Sequence, residues 1–263
     1  RFRVQRLRID GGTMDDQLMW QTFIEIYTNL PQQGPGNDEN TLKALAKLPL
    51  PPAPHILDVG CGTGRQTLQL AHVTGGTVIA VDNLQSYLFE LQAKAKQAGL
   101  EERVVVRQGD MNNLPFARNS FDLIWSEGAI YIMGFGNGLQ KWRKLLKPGG
   151  CLVVTEISWL REDAPLECHR FWQQEYPAMA TVKENLRTIR ANGYELIDHF
   201  TLPEDAWWGP YYLPLEARLN MFREKYAGDK ERLQVVEMSQ TEIEQYRKYS
   251  AYYGYVFYLL RRH

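Results

Sequence analysis

The sequence predicts an α/β protein built on a mostly parallel sheet. Short runs of β-branched and aliphatic residues alternate with longer stretches of helical periodicity through most of the 263 residues. The clearest unit is residues 54–70, in which an apolar run at 55–57 leads through Gly60, Gly62 and Gly64 into a helix. A strand, a glycine turn and a helix in this order let a small ligand approach the backbone closely.

Composition limits the classes of partner. Hydrophobic residues make up 44% and charged residues 23% of the chain, as in ordinary globular proteins, and the formal net charge is −1. A chain with this charge balance has no overall attraction to nucleic acid or to an anionic membrane. The three cysteines, Cys61, Cys151 and Cys168, are widely spaced. We therefore expect a cytoplasmic protein with no metal site, no nucleic-acid partner and no membrane span.

The glycine turn argues against two nucleotide-binding motifs. A dinucleotide fingerprint counted from Gly60 and Gly62 requires a third glycine at the position of Arg65. A phosphate-binding P-loop requires Gly-Lys-Ser/Thr where residues 64–66 read Gly-Arg-Gln. The pattern that remains is D-x-G-x-G-x-G from Asp58, whose carboxylate can attract a cationic ligand. A nicotinamide-dependent oxidoreductase stays as an alternative.

Two further acids follow predicted strands. Asp82 ends the β-branched run 77–82, where a carboxylate can accept both hydroxyls of a ribose; a helix cap is the alternative role. Residues 103–107 predict a third, buried parallel strand. It leads into residues 109–116, G-D-M-N-N-L-P-F, with Asp110 and then Met111, whose thioether suits the face of an aromatic ring.

These three motifs together resemble the class I S-adenosylmethionine-dependent methyltransferases, and within them the small-molecule, ubiquinone/menaquinone C-methyltransferase-like group. The resemblance covers residues 57–158 by motif and the rest by topology. It implies a Rossmann-like, seven-stranded sheet of order 3-2-1-4-5-7-6 with strand 7 antiparallel. It implies S-adenosylmethionine as methyl donor, S-adenosylhomocysteine as product, and a small-molecule acceptor. The implied donor-binding residues are Asp58, Gly60, Cys61, Gly62, Gly64, Gln66, Asp82, Asn83, Asp110, Met111 and Ser126.

Candidate catalytic residues follow the fourth predicted strand, 121–125. Glu127 can bind a basic substrate or take a proton from an attacking group; alternatively it caps the next helix or pairs with an arginine. Tyr131 is the second candidate. No Asn-Pro-Pro-Tyr or Asp-Pro-Pro-Tyr follows this strand, which argues against an enzyme that methylates amino groups of nucleic acids. A protein that binds the donor without catalysis remains the other alternative.

The remaining elements are assigned from periodicity and turn residues. We predict strands at 151–155, 194–200 and 252–260. We predict helices at 15–30, 38–48 (capped by Asn37 or Asp38), 137–147, 164–176, 178–192, 215–226 and 230–249. The last two helices fall in about fifty residues between the sixth and seventh strands, which is long for a structureless loop. We interpret this insertion as a helical cap over the mouth of the site.

The domain prediction has four parts. Residues 1–13 are a basic extension or a remnant of cloning, 14–50 an N-terminal helical segment, 51–202 with 250–263 the Rossmann-like domain, and 203–249 the cap. The predicted acceptor pocket consists of Gly36, Glu127, Trp159, Trp207 and Tyr211. The alternatives are an ordinary turn at 34–37 and aromatic rings that only attach the cap. We leave a homodimer open.

Overall fold

A computed structural model describes residues 14–263 and contains an eight-stranded sheet. The spatial order is β3-β2-β1-β4-β5-β8-β7, and β6 pairs with β5. Strands β1 to β4 and the β4–β5 pair are parallel, whereas β8 is antiparallel to β7. The strands are β1 (His55–Val59), β2 (Thr77–Asp82), β3 (Val104–Gln108), β4 (Phe121–Ser126), β5 (Leu146–Trp159), β6 (Ala180–Thr181), β7 (Tyr194–Thr201) and β8 (Tyr253–Arg262).

Helices connect most of these strands. They are α1 (Met14–Tyr27), α2 (Asp38–Leu45), α3 (Arg65–Thr74), α4 (Gln85–Gln97), α5 (Phe135–Arg143), α6 (Leu166–Glu175), α7 (Val182–Ala191), α8 (Asp205–Trp207), α9 (Leu213–Lys225) and α10 (Lys230–Tyr249). A 3₁₀ turn covers Ile130–Ile132, and a π-helix at Trp208–Tyr212 joins α8 to α9. The side chain of Asn37 accepts a hydrogen bond from the Asn40 N–H, so Asn37 is the cap of α2.

The predicted Rossmann-like sheet order is confirmed, with one additional strand. The two residues of β6 pair with Ser158 and Trp159, which makes the sheet eight-stranded and turns the predicted strands six and seven into β7 and β8. For the same reason α7 begins at Val182 rather than near residue 178. A short pairing of this kind carries no periodic signal in the sequence.

Two predicted strands differ from the structure. β5 begins at Leu146, which pairs with Phe121 ahead of a register shift, so residues 147–150 lie in the strand and do not end a helix. The expectation that the third strand is buried is wrong. β3 is the edge strand of the sheet, and Val105 is 41% exposed.

The chain divides into two compact units, which we call the sheet unit and the helical unit. The sheet unit comprises Gly36–Ile157, Val182–Leu202 and Tyr255–His263. Its centre is the fully buried middle of β1 and β4, including Ile56, Leu57, Leu123 and Ile124. Helices α3 and α4 pack on β2 and β3, and α7 packs on β7. This packing leaves the carboxyl ends of β1 to β4 to carry the candidate site.

The helical unit comprises Ser158–Thr181, Pro203–Gly254 and the described residues up to Pro35. Helix α1 packs against α9 and α10, and the Glu25 carboxylate accepts hydrogen bonds from Lys225 and Tyr226. An aromatic cluster formed by Trp207, Trp208, Tyr211, Tyr212 and Tyr246 links the π-helix to α10, with Trp207 stacked 4.1 Å from Tyr246.

The four-part division made from the sequence stays a prediction, and its residues 1–13 lie outside the described part of the chain. Between residues 14 and 263, none of the helices has the length and apolar composition needed to cross a bilayer.

The turn from β1 to α3 depends on glycine at position 64. Gly64 has φ of +85°, and a Cβ there would lie 2.0 Å from the Cδ1 atom of the buried Leu91. Gly99, after α4, also has a positive φ, +65°, but no atom lies within 4 Å of its Cβ position. An added side chain would strain the backbone at both glycines, but it would also clash with a neighbour only at Gly64.

We expect Gly64→Ala to lower the free energy of unfolding by about 2–4 kcal/mol, because left-handed strain and overpacking add. The matched Gly99→Ala carries the strain alone and should lose about 1–2 kcal/mol. Urea denaturation of both variants measures the difference. Equal losses would show that Leu91 yields without cost.

Candidate functional site

Four strand ends bring most of the predicted donor-binding residues to one edge of the sheet. The parallel register places Val59 beside Val81 and Asp82 beside Gln108, so β1, β2 and β3 end together. The glycine turn follows β1 directly, and Asp110 stands two positions after β3. In open parallel sheets this edge is where ligands bind.

The glycine turn is held against the end of β2. The backbone N–H groups of Gly60 and Cys61 both donate to the Val81 carbonyl, at 2.8 and 3.1 Å. Gly60, Gly62 and Gly64 all have positive φ. A Cβ on Gly60 would lie 2.5 Å from the Ala129 Cβ. Only glycine at position 60 therefore lets the turn lie this close to the segment after β4.

Asp82 holds this turn through both oxygens of its carboxylate. Its Oδ2 atom accepts from the Gly62 N–H and its Oδ1 atom from the Leu84 N–H, both at 2.9 Å. Asp82 thus joins the glycine turn to Leu84, the residue that precedes α4, and its ribose role stays a prediction.

Asp58 is fully buried beneath the turn. Its Oδ2 atom accepts from the Thr67 hydroxyl at 2.5 Å and its Oδ1 atom from the Gln66 amide at 3.4 Å. The pKa of Asp58 is raised from 3.8 to about 7, mainly by burial and also by the charges of Glu127 and Asp82, against the lowering effect of these two hydrogen bonds. Asp58 therefore braces the turn from below, without surface of its own for a ligand.

Asp110 and Met111 lie at the end of β3 as predicted from the motif. Asp110 is exposed, and its Oδ1 atom accepts from the Asn112 N–H at 2.8 Å. The Met111 Cε atom lies 3.7 Å from the Cβ position of Gly60, and its carbonyl accepts from the Trp142 indole N–H at 3.3 Å. The thioether thus faces the glycine turn.

Three other predicted donor-site residues act through the backbone or are buried. The Ser126 hydroxyl donates to the Val59 carbonyl at 2.8 Å. The Asn83 carbonyl accepts from the Gln108 amide at 3.0 Å, while the Asn83 residue is exposed. The Cys61 side chain is 2% exposed, and burial raises the pKa of its thiol, so it remains protonated and is not a nucleophile.

Glu127 is already engaged on both oxygens. Its Oε2 atom pairs with the Arg65 guanidinium at 2.6 Å. Its Oε1 atom accepts from the Thr41 hydroxyl at 2.7 Å and the Trp125 indole N–H at 2.8 Å. The side chain is 5% exposed. Of the roles predicted for Glu127, the structure contains the pair with an arginine. The three donors bound to the Glu127 carboxylate disfavour its use as a base.

The remaining candidates are divided between the two units, with Tyr131 and Gly36 in the sheet unit and Trp207 and Tyr211 in the helical unit. Tyr131 lies in the 3₁₀ turn with 1% exposure. Gly36 adjoins Glu127, whose Oε2 atom is 3.1 Å from the Gly36 Cβ position. Trp207 and Tyr211 are buried in the aromatic cluster, at 2% and 0% exposure. Their place in the acceptor pocket stays a prediction, as does the alternative that they only attach the cap.

Trp159, the last residue of β5, does border a cavity. The cavity has a volume of about 260 Å³ and lies within Ser158–Thr181 of the helical unit. Trp172, Tyr176 and Met179 form its buried floor, and His169 and Arg170 stand on its exposed side. The Trp159 and His169 rings are 4.4 Å apart.

Sequence reasoning missed the residues around Glu127. Arg65 was noted only as the residue that breaks two motifs, Asp38 only as a possible cap, and Thr41 and Thr67 not at all. Thr67 could have been found, since it faces Asp58 from the first turn of the helix that follows the motif. Arg65 and Glu127 stand 62 positions apart, and no local pattern links them. Within residues 14–263 no group of His, Cys, Asp and Glu is arranged to hold a metal ion.

The pKa of Asp58 gives a test of its burial. Because the folded-state pKa lies above the ordinary 3.8, the protonated acid stabilises the fold; this contribution is complete below about pH 4 and is lost as pH rises through about 7. Asp58→Asn carries no titrating proton. The free energy of unfolding of the variant relative to the wild type should therefore rise between pH 5 and pH 8, by on the order of 1–3 kcal/mol.

Urea denaturation at several pH values measures this difference. The exposed Asp163→Asn serves as the control and should leave the pH dependence unchanged. A difference between Asp58→Asn and the wild type that does not vary with pH would mean that Asp58 is ionised throughout.

Comparison with known proteins agrees with this geometry. Residues 56–150 match the family model described as a methyltransferase domain. A sterol 24-C-methyltransferase of Gibberella zeae is 29% identical over 177 residues, which are 63% of this chain and 46% of that protein. The chain therefore spans about half the length of this relative.

Two solved structures share the fold over nearly the whole chain. A methyltransferase of Geobacter sulfurreducens, crystallised with S-adenosylhomocysteine, has a TM-score of 0.79 and 20% identity over 92% of this chain and 98% of that one. The 4+2 cyclase SpnF has a TM-score of 0.74 and 21% identity over 95% and 96%. Residues 56–150 thus match a methyltransferase domain, and the chain as a whole has the fold of these two solved structures.

Proposed function

We propose that the chain is an S-adenosylmethionine-dependent methyltransferase with a small-molecule acceptor. The observation that carries this is the meeting of the glycine turn with Asp82 and Asp110 at the ends of adjacent strands. One ligand with a charged amino-acid end, a ribose and an adenine would match the spacing of these groups. The family match and the solved neighbours support the same donor.

The donor-site residues have distinct roles in this proposal. Asp82 binds the ribose hydroxyls through its carboxylate oxygens, and Met111 covers the aromatic base beside the glycine turn. Asp110 accepts from the adenine amino group. When bound, S-adenosylmethionine supplies a methyl group on a positively charged sulfur, which takes the bonding electron pair as the acceptor forms its bond to carbon. The chain positions the two reactants and excludes water, which supplies most of the rate.

A second candidate function is binding of the donor without methyl transfer. The fold likeness to the 4+2 cyclase SpnF favours it, because that protein has this fold and is described as a cyclase rather than a methyltransferase. The nicotinamide-dependent oxidoreductase has weaker support. Arg65 stands where its third glycine is required, and its side chain is committed to Asp38 and Glu127.

The ubiquinone/menaquinone subtype stays a prediction, as do a cytoplasmic location and a homodimer. The Gibberella relative is named for a sterol acceptor. A library of small metabolites, screened for release of S-adenosylhomocysteine in the presence of donor, is the experiment that decides between methyl transfer and binding alone. If no compound in the library causes S-adenosylhomocysteine release, binding without methyl transfer is favoured.

Donor binding itself is tested by calorimetry. The wild type should bind S-adenosylmethionine and S-adenosylhomocysteine but not NAD. Asp82→Ala should weaken donor binding at least tenfold, about 1.4 kcal/mol, because ribose loses its acceptor and the Gly62 N–H loses its partner.

The exposed Asp163→Ala removes an acid in the helical unit and should leave affinity unchanged. Tight NAD binding without any response to S-adenosylhomocysteine would overturn the assignment. Unchanged affinity in Asp82→Ala would assign that residue to structure alone.

For the acceptor we propose the cavity at Trp159. Trp159, which was predicted from the sequence to line the acceptor pocket, ends β5 and borders this cavity. Its floor is apolar and aromatic, and its exposed side carries Arg170 and His169. Its volume of about 260 Å³ suits a compact ring or apolar body, and these basic groups suit a polar or anionic substituent.

Trp159→Ala should raise the acceptor KM about tenfold or more while donor affinity stays within twofold, because a wall of the acceptor cavity is lost. Trp208→Ala is the matched control, since Trp208 is half-buried in the same unit but does not line the cavity. A larger rise in acceptor KM in Trp208→Ala than in Trp159→Ala would instead indicate that the acceptor binds at the aromatic cluster. The acceptor found in the library screen is the substrate for both assays.

A further inference from the structure

Four polar residues from distant parts of the sheet unit converge beside the glycine turn. We call this group the latch: Asp38 and Thr41 on α2, Arg65 at the start of α3, and Glu127 after β4. The Arg65 Nη2 atom pairs with Glu127 at 2.6 Å, and its Nη1 atom contacts Asp38 at 3.0 Å and Thr41 at 3.1 Å. Arg65 is therefore the centre of the group.

The arrangement is more than a surface ion pair. The side chain of Glu127 is 5% exposed and that of Arg65 19%, whereas Asp38 is 48% exposed. Exposed pairs contribute little to stability, but removal of one partner from a shielded pair leaves a charge without compensation. Glu127 is further fixed by the Trp125 indole. The inner end of the latch is the shielded, three-donor site at Glu127, and its outer end is the α2 segment.

Gly36 shows how closely the outer segment approaches. It has φ of +147°, and a Cβ there would lie 3.0 Å from the Arg65 Nη2 atom and 3.1 Å from the Glu127 Oε2 atom. Asp38 also receives the Gln69 amide at 2.8 Å, so α2 is tied to α3 at two successive turns. Residues 36–45 thus lie against the helix that begins where the glycine turn ends.

We propose that Arg65 is a positioning residue that holds residues 36–45 closed beside the donor-binding turn. In this role Glu127 is the anchor of the latch and not a base. Opening the latch frees residues 36–45 from α3 and exposes the end of the glycine turn, which shortens the residence of the donor. This inference rests on the proposed function for the donor, whereas the closure of residues 36–45 stands without it.

Amide hydrogen exchange and the dissociation rate of S-adenosylhomocysteine test the proposal. Arg65→Met, which keeps most of the length and removes the charge, should speed exchange across residues 36–45 at least tenfold while β4 keeps its protection. It should speed dissociation of S-adenosylhomocysteine by a similar factor, measured by stopped flow. Arg65→Lys should give exchange and dissociation rates between those of the wild type and Arg65→Met, because one ammonium group cannot pair with both Asp38 and Glu127.

Lys147→Met is the matched control. Lys147 pairs with the partly buried Asp122 of the same unit at 2.9 Å, away from the latch, and its loss should leave exchange across residues 36–45 and dissociation unchanged. If Arg65→Met does not fold, Thr41→Val removes one bridge of the latch with a side chain of similar shape. It should speed exchange across 36–45 several-fold.

Glu127→Gln separates the anchor from a base. As an anchor, Glu127→Gln speeds exchange across 36–45 and S-adenosylhomocysteine dissociation; as a base, it loses turnover with both of these rates unchanged, which overturns the proposal. Exchange across 36–45 that is the same in Arg65→Met and the wild type also overturns it. If the wild type binds no S-adenosylhomocysteine, the proposed function fails, and the exchange measurement still decides whether the latch closes.

Discussion

The candidate site depends on how closely the chain at residues 60–64 approaches the end of β2. Two N–H groups share the Val81 carbonyl, and a third reaches the Asp82 carboxylate. These bonds use backbone groups that a glycine turn would otherwise leave to solvent, and they draw the turn onto the residue proposed to bind the ribose. The shape of the turn and the position of Asp82 are therefore one constraint.

Asp58 shows the cost of this compact arrangement. A carboxyl group without solvent exposure is placed under a turn whose surroundings already include the charges of Asp82 and Glu127, and its pKa rises accordingly. Asp82 and Glu127 place negative charge near one turn, and this charge disfavours a third at Asp58. The same region needs a compensating cation, and Arg65, bound to Glu127, is placed to supply it.

The fold was largely predictable from the sequence because its signals are local. β-branched runs, the glycine turn and strand-end acids each fall within a few residues, and the predicted strand order was confirmed. β6 and the early start of β5 were missed, since each is defined by pairing with a distant strand. The latch was missed for the same reason: Thr41 and Glu127 lie 86 positions apart. The burial of Trp207 and Tyr211 could not be predicted from the sequence either, because aromatic residues occur both in cores and in pocket walls.

Arg65 links the choice of ligand to the architecture around it. A dinucleotide fold needs glycine at this position so that the helix can pack closely against the strand. Here a long, charged side chain occupies it and extends from the first residue of α3 to an acid on each side. The substitution that removes the dinucleotide motif therefore provides a tether for α2. One residue both argues against a pyrophosphate ligand and brings residues 36–45 to the turn where the methyl donor is proposed to bind.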